Sequence, residues 1–175
     1  TVHASASVSV RDGRILPEDQ NLKYVAVVNR YPGRQTIGLG VVRNFGTESG
    51  ALASTVSHDC HNLTIVYDDP GEALLAAKEL IRCGGGMCAV QNGKILHTLE
   101  LPLAGLMSLK PAKELAEDCQ AMKAAERQLG LTVQENPLLR IVTLALPVIP
   151  ELKMSDLGMV DVLKKELVPL IKETL

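Results

Sequence analysis

The sequence predicts an α/β fold, a mixed β-sheet with helices packed on it as a layered sandwich. Three observations carry that expectation. Strand-like apolar runs alternate along the chain with segments whose apolar residues recur every three or four positions. Asn92-Gly93 lies between two strand-like runs, and this pair tolerates the positive φ that a tight hairpin needs, so at least one strand pair is antiparallel. Hydrophobic residues make up 46% of 175 residues while aromatics make up 2%, which suits one domain with an aliphatic core.

Taken in order, Val2, Ala4, Ala6, Val8 and Val10 alternate with small or polar residues and predict a strand, closed by an Asp12-Gly13 turn. Pro17 to Asn21 reads as a loop. Tyr24 to Val28 is β-branched and predicts a strand, broken by Tyr31-Pro32-Gly33. Ile37 to Val42 is a weaker strand, because Gly38 and Gly40 leave one face bare for close backbone approach. Ala51 to Val56 fits a strand or a helix, and Leu63 to Tyr67 fits a buried strand. Asp68-Asp69-Pro70-Gly71 turns into a helix with Leu74, Leu75, Ala77, Leu80 and Ile81 at helical spacing and Gly84 as its stop. Met87 to Gln91 and Lys94 to Leu99 form the hairpin. Pro111 opens a second helix, with Leu115, Cys119, Met122, Ala125 and Leu129 on one face and Gly130 at its end. Ile141 to Leu146 predicts a further strand, and Asp161 to Glu173 a terminal helix kinked or ended at Pro169.

Composition excludes several function classes. A net charge of −2 supplies no basic field for a phosphate backbone, and stacking platforms are scarce, so no nucleic-acid partner is expected. No apolar run reaches the roughly 20 residues that span a bilayer. Cys60, Cys83, Cys88 and Cys119 are dispersed and read as reduced thiols, as in a cytoplasmic protein. The chain begins at Thr1 already in strand-like alternation, which reads as a piece of a longer chain.

The candidate site is the polar knot Ser57-His58-Asp59-Cys60-His61-Asn62, set between two apolar runs and holding two of the four histidines. His58, Cys60 and His61 are possible metal ligands. On a strand His58 and Cys60 share a face while His61 points away; only a tight loop would converge all three, and no HxH or HExxH supplements them. Cys60 stands near an acid and a base, the setting of an activated thiolate, but no third, orienting residue is identifiable. The structural alternative is that Asp59 and Asn62 pin a turn and the histidines are satisfied loop residues. Gly84-Gly85-Gly86 follows a helix and precedes a strand, the reverse of a phosphate-cradling loop, and reads as a C-cap and turn. Leu101 to Ser108 lacks any acid or base and reads as a packed crossover, an apolar wall or an interface.

Five stretches, in one order, resemble a known family. Gly50 to Asn62 is similar to the adenine deaminase segment G-A-I-A-S-T-V-A-H-D-S-H-N. Gly84 to Gly86 with Asn92-Gly93-Lys94 resembles that family's glycine triplet and hairpin. Leu101 to Ser108 resembles its L-P-I-A-G-L-M-S, Leu144 to Lys153 its L-A-L-P-V-I-P-E-L-K, and Ser155 to Asp161 its closing T-D-x-G-L-V-D. The resemblance spans about Lys23 to Val162 and concerns the family's C-terminal domain alone. It implies a single domain: residues 1–22 as leading strand and loop, 23–162 as motif-bearing core and 163–175 as terminal helix. It also implies a parent protein that hydrolyses adenine to hypoxanthine and ammonia. In that chemistry a metal hydroxide held in a (β/α)₈ barrel attacks purine C6 while a carboxylate handles protons. Such a barrel takes roughly 200 residues or more and is not this fold.

On this reading the chain binds no cofactor of its own, and the divalent metal (manganese, iron or zinc) belongs to the barrel. The implied partners are that N-terminal barrel, further copies in a homo-oligomer and a small-molecule purine. Ser57, His58, Asp59, His61 and Asn62 are expected to close the pocket or support it, with no catalytic residue in this chain. The chain departs from the family at Cys60, where Ser is commoner, at Thr47-Glu48-Ser49, where a basic residue and Arg are expected, and at Asn136-Pro137-Leu138, which replaces a Pro-Phe pair. These departures leave room for another purine or amino-substituted heterocycle. Two alternatives remain open: a purely structural or oligomerisation module, and a stand-alone domain that binds a small polar ligand.

Overall fold

The computed structural model describes residues 4–12, 14–16, 21–132 and 136–171. Its centre is a six-stranded sheet. The strands are β3 (Leu22–Val28), β4 (Ile37–Arg43), β5 (Ala51–Ser54), β6 (Leu63–Tyr67), β7 (Gly86–Gln91) and β8 (Lys94–Glu100), in the order β4-β3-β6-β5-β7-β8. Two short strands, β1 (Ser9–Arg11) and β2 (Arg14–Leu16), form a separate hairpin. A third sheet comprises β9 (Leu152–Ser155), β10 (Gly158–Asp161) and β11 (Glu166–Val168). The helices are α1 (Pro70–Cys83), α2 (Ala112–Gln128) and the single turn α3 (Leu139–Val142).

The expected layered α/β sandwich is present, and no barrel closes. The central sheet differs from the expectation in one respect: every described pairing in it is antiparallel. The connections explain this. β3–β4 and β7–β8 are hairpins, and short links cannot join parallel neighbours. Two crossovers complete the sheet: residues 44–50 carry the chain from β4 past β3 and β6 to β5, and α1 carries it from β6 past β5 to β7, which lies antiparallel to β5.

Layers pack on both faces of the sheet, though Ile37 and Leu39 of the edge strand β4 stay exposed. Ala51, Ala53, Leu63, Ile65, Cys88 and Val90 meet Ala73, Ala76 and Leu80 of α1. Val25, Val27, Leu52, Val66, Met87, Ala89 and Leu99 face the other layer, where α2 lies on β7 and β8, α3 on β5 and β6, and β9–β10 on β3 and β4. Strands buried on both faces read as continuous apolar runs, so the order of residues in Ala51–Ser54 does not separate strand from helix. The α1 termini follow the sequence signals. Asp69 caps the first turn through Gly71 and Glu72 N–H at 2.8 and 3.1 Å, and Gly84 closes the helix at φ +82°.

Three sequence expectations need correction. Ile141 to Leu146 is not a strand: Ile141, Val142 and Ala145 are buried while Thr143 is exposed, a helical spacing, and Leu144 N–H bonds back to Ile141 O at 3.2 Å. Residues 161–171 contain no helix. Asp161 Oδ1 accepts from Leu163 and Lys164 N–H at 3.1 and 3.0 Å, turning the chain so that Glu166 pairs with Asp161 in β10–β11. The rest of the expected terminal helix, 172–175, lies outside the described residues. The leading strand is confined to Ser9–Arg11 within residues 4–12; Val2, Gly13 and residues 17–20 of the expected strand, turn and loop also lie outside them.

Candidate functional site

The polar knot is a loop at one end of the central sheet, joining β5 to β6. Its stem is buried and its tip is exposed: Ser57 and Asn62 are 0% and 2% accessible, whereas His58, Asp59 and Cys60 face solvent. Ser57 Oγ shares a 2.7 Å hydrogen bond with Thr64 Oγ1, tying the first loop residue to β6. His61 N–H donates to Ser57 O at 2.7 Å and closes the turn. His58 N–H donates to Val142 O at 3.1 Å, fastening the tip to α3.

The two imidazoles meet edge to face with centroids 5.4 Å apart. Burial, with the nearby His58 and Arg30 charges, holds the His61 pKa below the ordinary 6.5, against an opposing pull from Asp59. Ser57 N–H points at its Nδ1 from 3.4 Å, which in the neutral ring leaves the proton on Nε2.

Residues outside the 57–62 loop hold it: no motif singles out Arg30 or Tyr31, whereas Asp156 lies in the 155–161 stretch that resembles the family. Arg30, just after β3, donates through Nε to His61 O and through an Nη to Ala104 O at 2.7 Å. Tyr31 donates its hydroxyl to Cys60 O at 2.7 Å. Asp156, in the turn between β9 and β10, accepts from Asn62 Nδ2 at 3.2 Å, from Asn29 Nδ2 at 3.1 Å and from the Thr36 hydroxyl. Burial raises the Asp156 pKa, but the Thr36 and Asn29 hydrogen bonds and the Arg34 charge outweigh it, so the carboxyl titrates below its usual range. These partners are 29 to 127 positions from the groups they bind, which is why local pattern could not find them.

The 101–108 segment lies beside the knot. Thr55 Oγ1 donates to Gly105 O at 2.7 Å and accepts from Gly86 N–H at 2.8 Å, binding this segment to the glycine triplet. Gly85 has φ +119°, and a Cβ there would stand 2.5 Å from Gly105 Cα. The triplet thus serves as cap, turn and close-approach surface. Leu103 and Met107 bridge each other and remain 47% and 55% exposed.

The family model described as adenine deaminase C-terminal domain matches residues 1–166. The chain belongs to the adenine deaminase C-terminal domain family. Curated relatives agree: it is 44% identical over 172 residues to an adenine deaminase of Moorella thermoacetica, covering 98% of this chain and 29% of that protein. It is 45% identical to one from Edwardsiella ictaluri over 79% of this chain and 23% of that protein, and 42% identical to one from Cereibacter sphaeroides over 97% and 30%. The chain therefore spans less than a third of the length of these adenine deaminases.

In this adenine deaminase C-terminal domain, four of the resembling stretches gather at one end of the sheet: the 50–62 segment, Gly85-Gly86, Ala104-Gly105 and Asp156. The candidate residues fare differently. Ser57, His61 and Asn62 are built into the network; His58 is held through its backbone; no described hydrogen bond engages the Asp59 side chain. His58, Cys60 and His61 do not converge as ligands, and among the described residues no group of three or more His, Cys, Asp or Glu side chains can hold a metal. The described residues therefore offer no ligand set for the divalent metal that adenine deaminase chemistry implies. All four cysteines are free thiols. No described helix is long and apolar enough to cross a membrane.

Proposed function

We propose that this chain is the C-terminal domain of a longer adenine deaminase-like hydrolase of purine metabolism. In that protein its 57–62 loop would line the active-site rim or a subunit interface, facing the catalytic barrel. The observation that carries the reading is a loop whose stem is clamped from three sides while His58, Asp59 and Cys60 stay exposed at its tip. Clamping an exposed polar tip suits contact with a partner surface or substrate, because the ordering entropy is already spent. Ser57 and Asn62 would support the loop from below, with His58, Asp59 and His61 as the contacting groups. The metal (manganese, iron or zinc) and the groups that attack purine C6 would lie on the barrel. A cytoplasmic homo-oligomer is the setting that agrees with the free thiols and the family.

His58→Ala in the longer protein tests the rim role. The expected result is a large loss of turnover with subunit mass unchanged. Exposed Leu103 and Met107 beside the loop favour a second reading, a purely structural or oligomerisation module; normal turnover with altered mass in the same variant would select it. A stand-alone role in small-ligand binding would instead show as a purine-dependent thermal shift of the isolated chain.

A further inference from the structure

We propose that Asp156 is the positioning residue of the 57–62 loop, fixing the orientation in which its two histidines are presented. The carboxylate sits where three separate segments meet. Its Oδ1 takes Asn62, the last residue of the loop, at 3.2 Å. Its Oδ2 takes Asn29 and Thr36, which flank the β3–β4 connection, the first at 3.1 Å. Asn29 passes the constraint on: its Oδ1 accepts Tyr31 N–H at 2.8 Å, and Tyr31 holds Cys60 O with its hydroxyl. The neighbouring Arg30 holds His61 O. One carboxylate thus grips the loop directly at its end and indirectly at its tip.

The fold brings Asp156 there by backbone contact. Gly38 of β4 lies under the β9–β10 turn so closely that a Cβ would stand 1.9 Å from Ser155 O. A side chain at position 38 would lift that turn, and Asp156 with it, off Asn29, Thr36 and Asn62. An ionised carboxylate is the suitable hub, since it offers about four lone-pair sites to three donors and no donor of its own. Asn in its place turns one acceptor into a donor and must break at least one of the three bonds.

The readout is the loop itself, followed by NMR on the chain as it stands. In the unaltered chain His61 titrates below the ordinary 6.5. In Asp156→Ala its titration should move up toward that ordinary value, and its N–H should exchange about tenfold faster or more, while amides of β5 to β7 keep their protection. Asp156→Asn should shift both in the same direction by less, and Gly38→Ala should reproduce the effect with the carboxylate intact. Asp156→Asn, the milder variant, supplies the reading if Asp156→Ala does not fold. A lowered melting temperature with His61 titration and exchange unchanged would overturn the proposal, making Asp156 a stabilising contact only. The consequence for catalysis rests on the rim-or-interface reading and separates from it. If the loop loosens in Asp156→Ala while the longer protein keeps its turnover and mass, the rim reading fails and the positioning role stands.

Discussion

Glu126 shows how a single residue is decided by its surroundings. It is fully buried on the sheet-facing side of α2, and neither carboxylate oxygen has a hydrogen-bond partner among the described residues. Burial pushes its pKa up to about 8, against the opposing charges of Lys123 and Arg127. The folded state therefore keeps a proton that the unfolded chain releases near the ordinary 4.5. Between these two values the native state binds more protons, so stability should fall as pH rises through that window and level off above about 8. Urea unfolding at a series of pH values should show this slope, and Glu126→Gln should flatten it. An unchanged slope in the variant would assign the dependence to other groups. Nothing in the sequence marks Glu126, which reads as one more charge on the solvated face of a helix. Asn29 and Thr36 are equally unmarked, and the motif that contains Asp156 does not mark it as a hydrogen-bond hub; their chemistry exists only because three loops meet.

Among the elements, those with local punctuation are legible in the sequence. Asp69, Pro70 and Gly84 bound α1, and Asn92-Gly93 turns β7 into β8, because the caps and turn geometry depend on a few adjacent residues. Asp69→Ala removes the acceptor of two N-terminal amides and should cost about 1 kcal/mol in equilibrium unfolding. A change indistinguishable from zero would mean that water replaces the cap at no cost. Legibility fails at α3 and at β10–β11. The apolar run from Ile141 to Leu146 does not by its order tell strand from helix. The stretch after Asp161 has helical residues, but the Asp161 carboxylate bonds Leu163 and Lys164 N–H in a turn, and Glu166–Val168 then pairs with β10. Tertiary pairing outweighs a propensity of a few tenths of a kcal/mol per residue.

At the scale of the molecule, the chain is a layered α/β domain with an aliphatic core on each face of one antiparallel sheet. Since no described cluster can hold a metal, a chelator should leave its thermal unfolding midpoint unchanged; on the proposal that the chemistry lies on a barrel outside these residues, the chain alone should release no ammonia from adenine. Metal-dependent ammonia release by the purified chain would sink the assignment of the chemistry to a preceding barrel. The sequence by itself determined the family, through five ordered motifs, and with it the α/β class. It also marked the 57–62 loop as the polar exception between two buried runs. Only the tertiary structure decided that the sheet is antiparallel throughout, that His58, Cys60 and His61 do not form a ligand set, and that Arg30, Tyr31 and Asp156 hold the loop. The physical reason is separation. Caps, turns and periodicity act over a few residues, whereas each of these contacts joins groups that become neighbours only when the sheet has assembled.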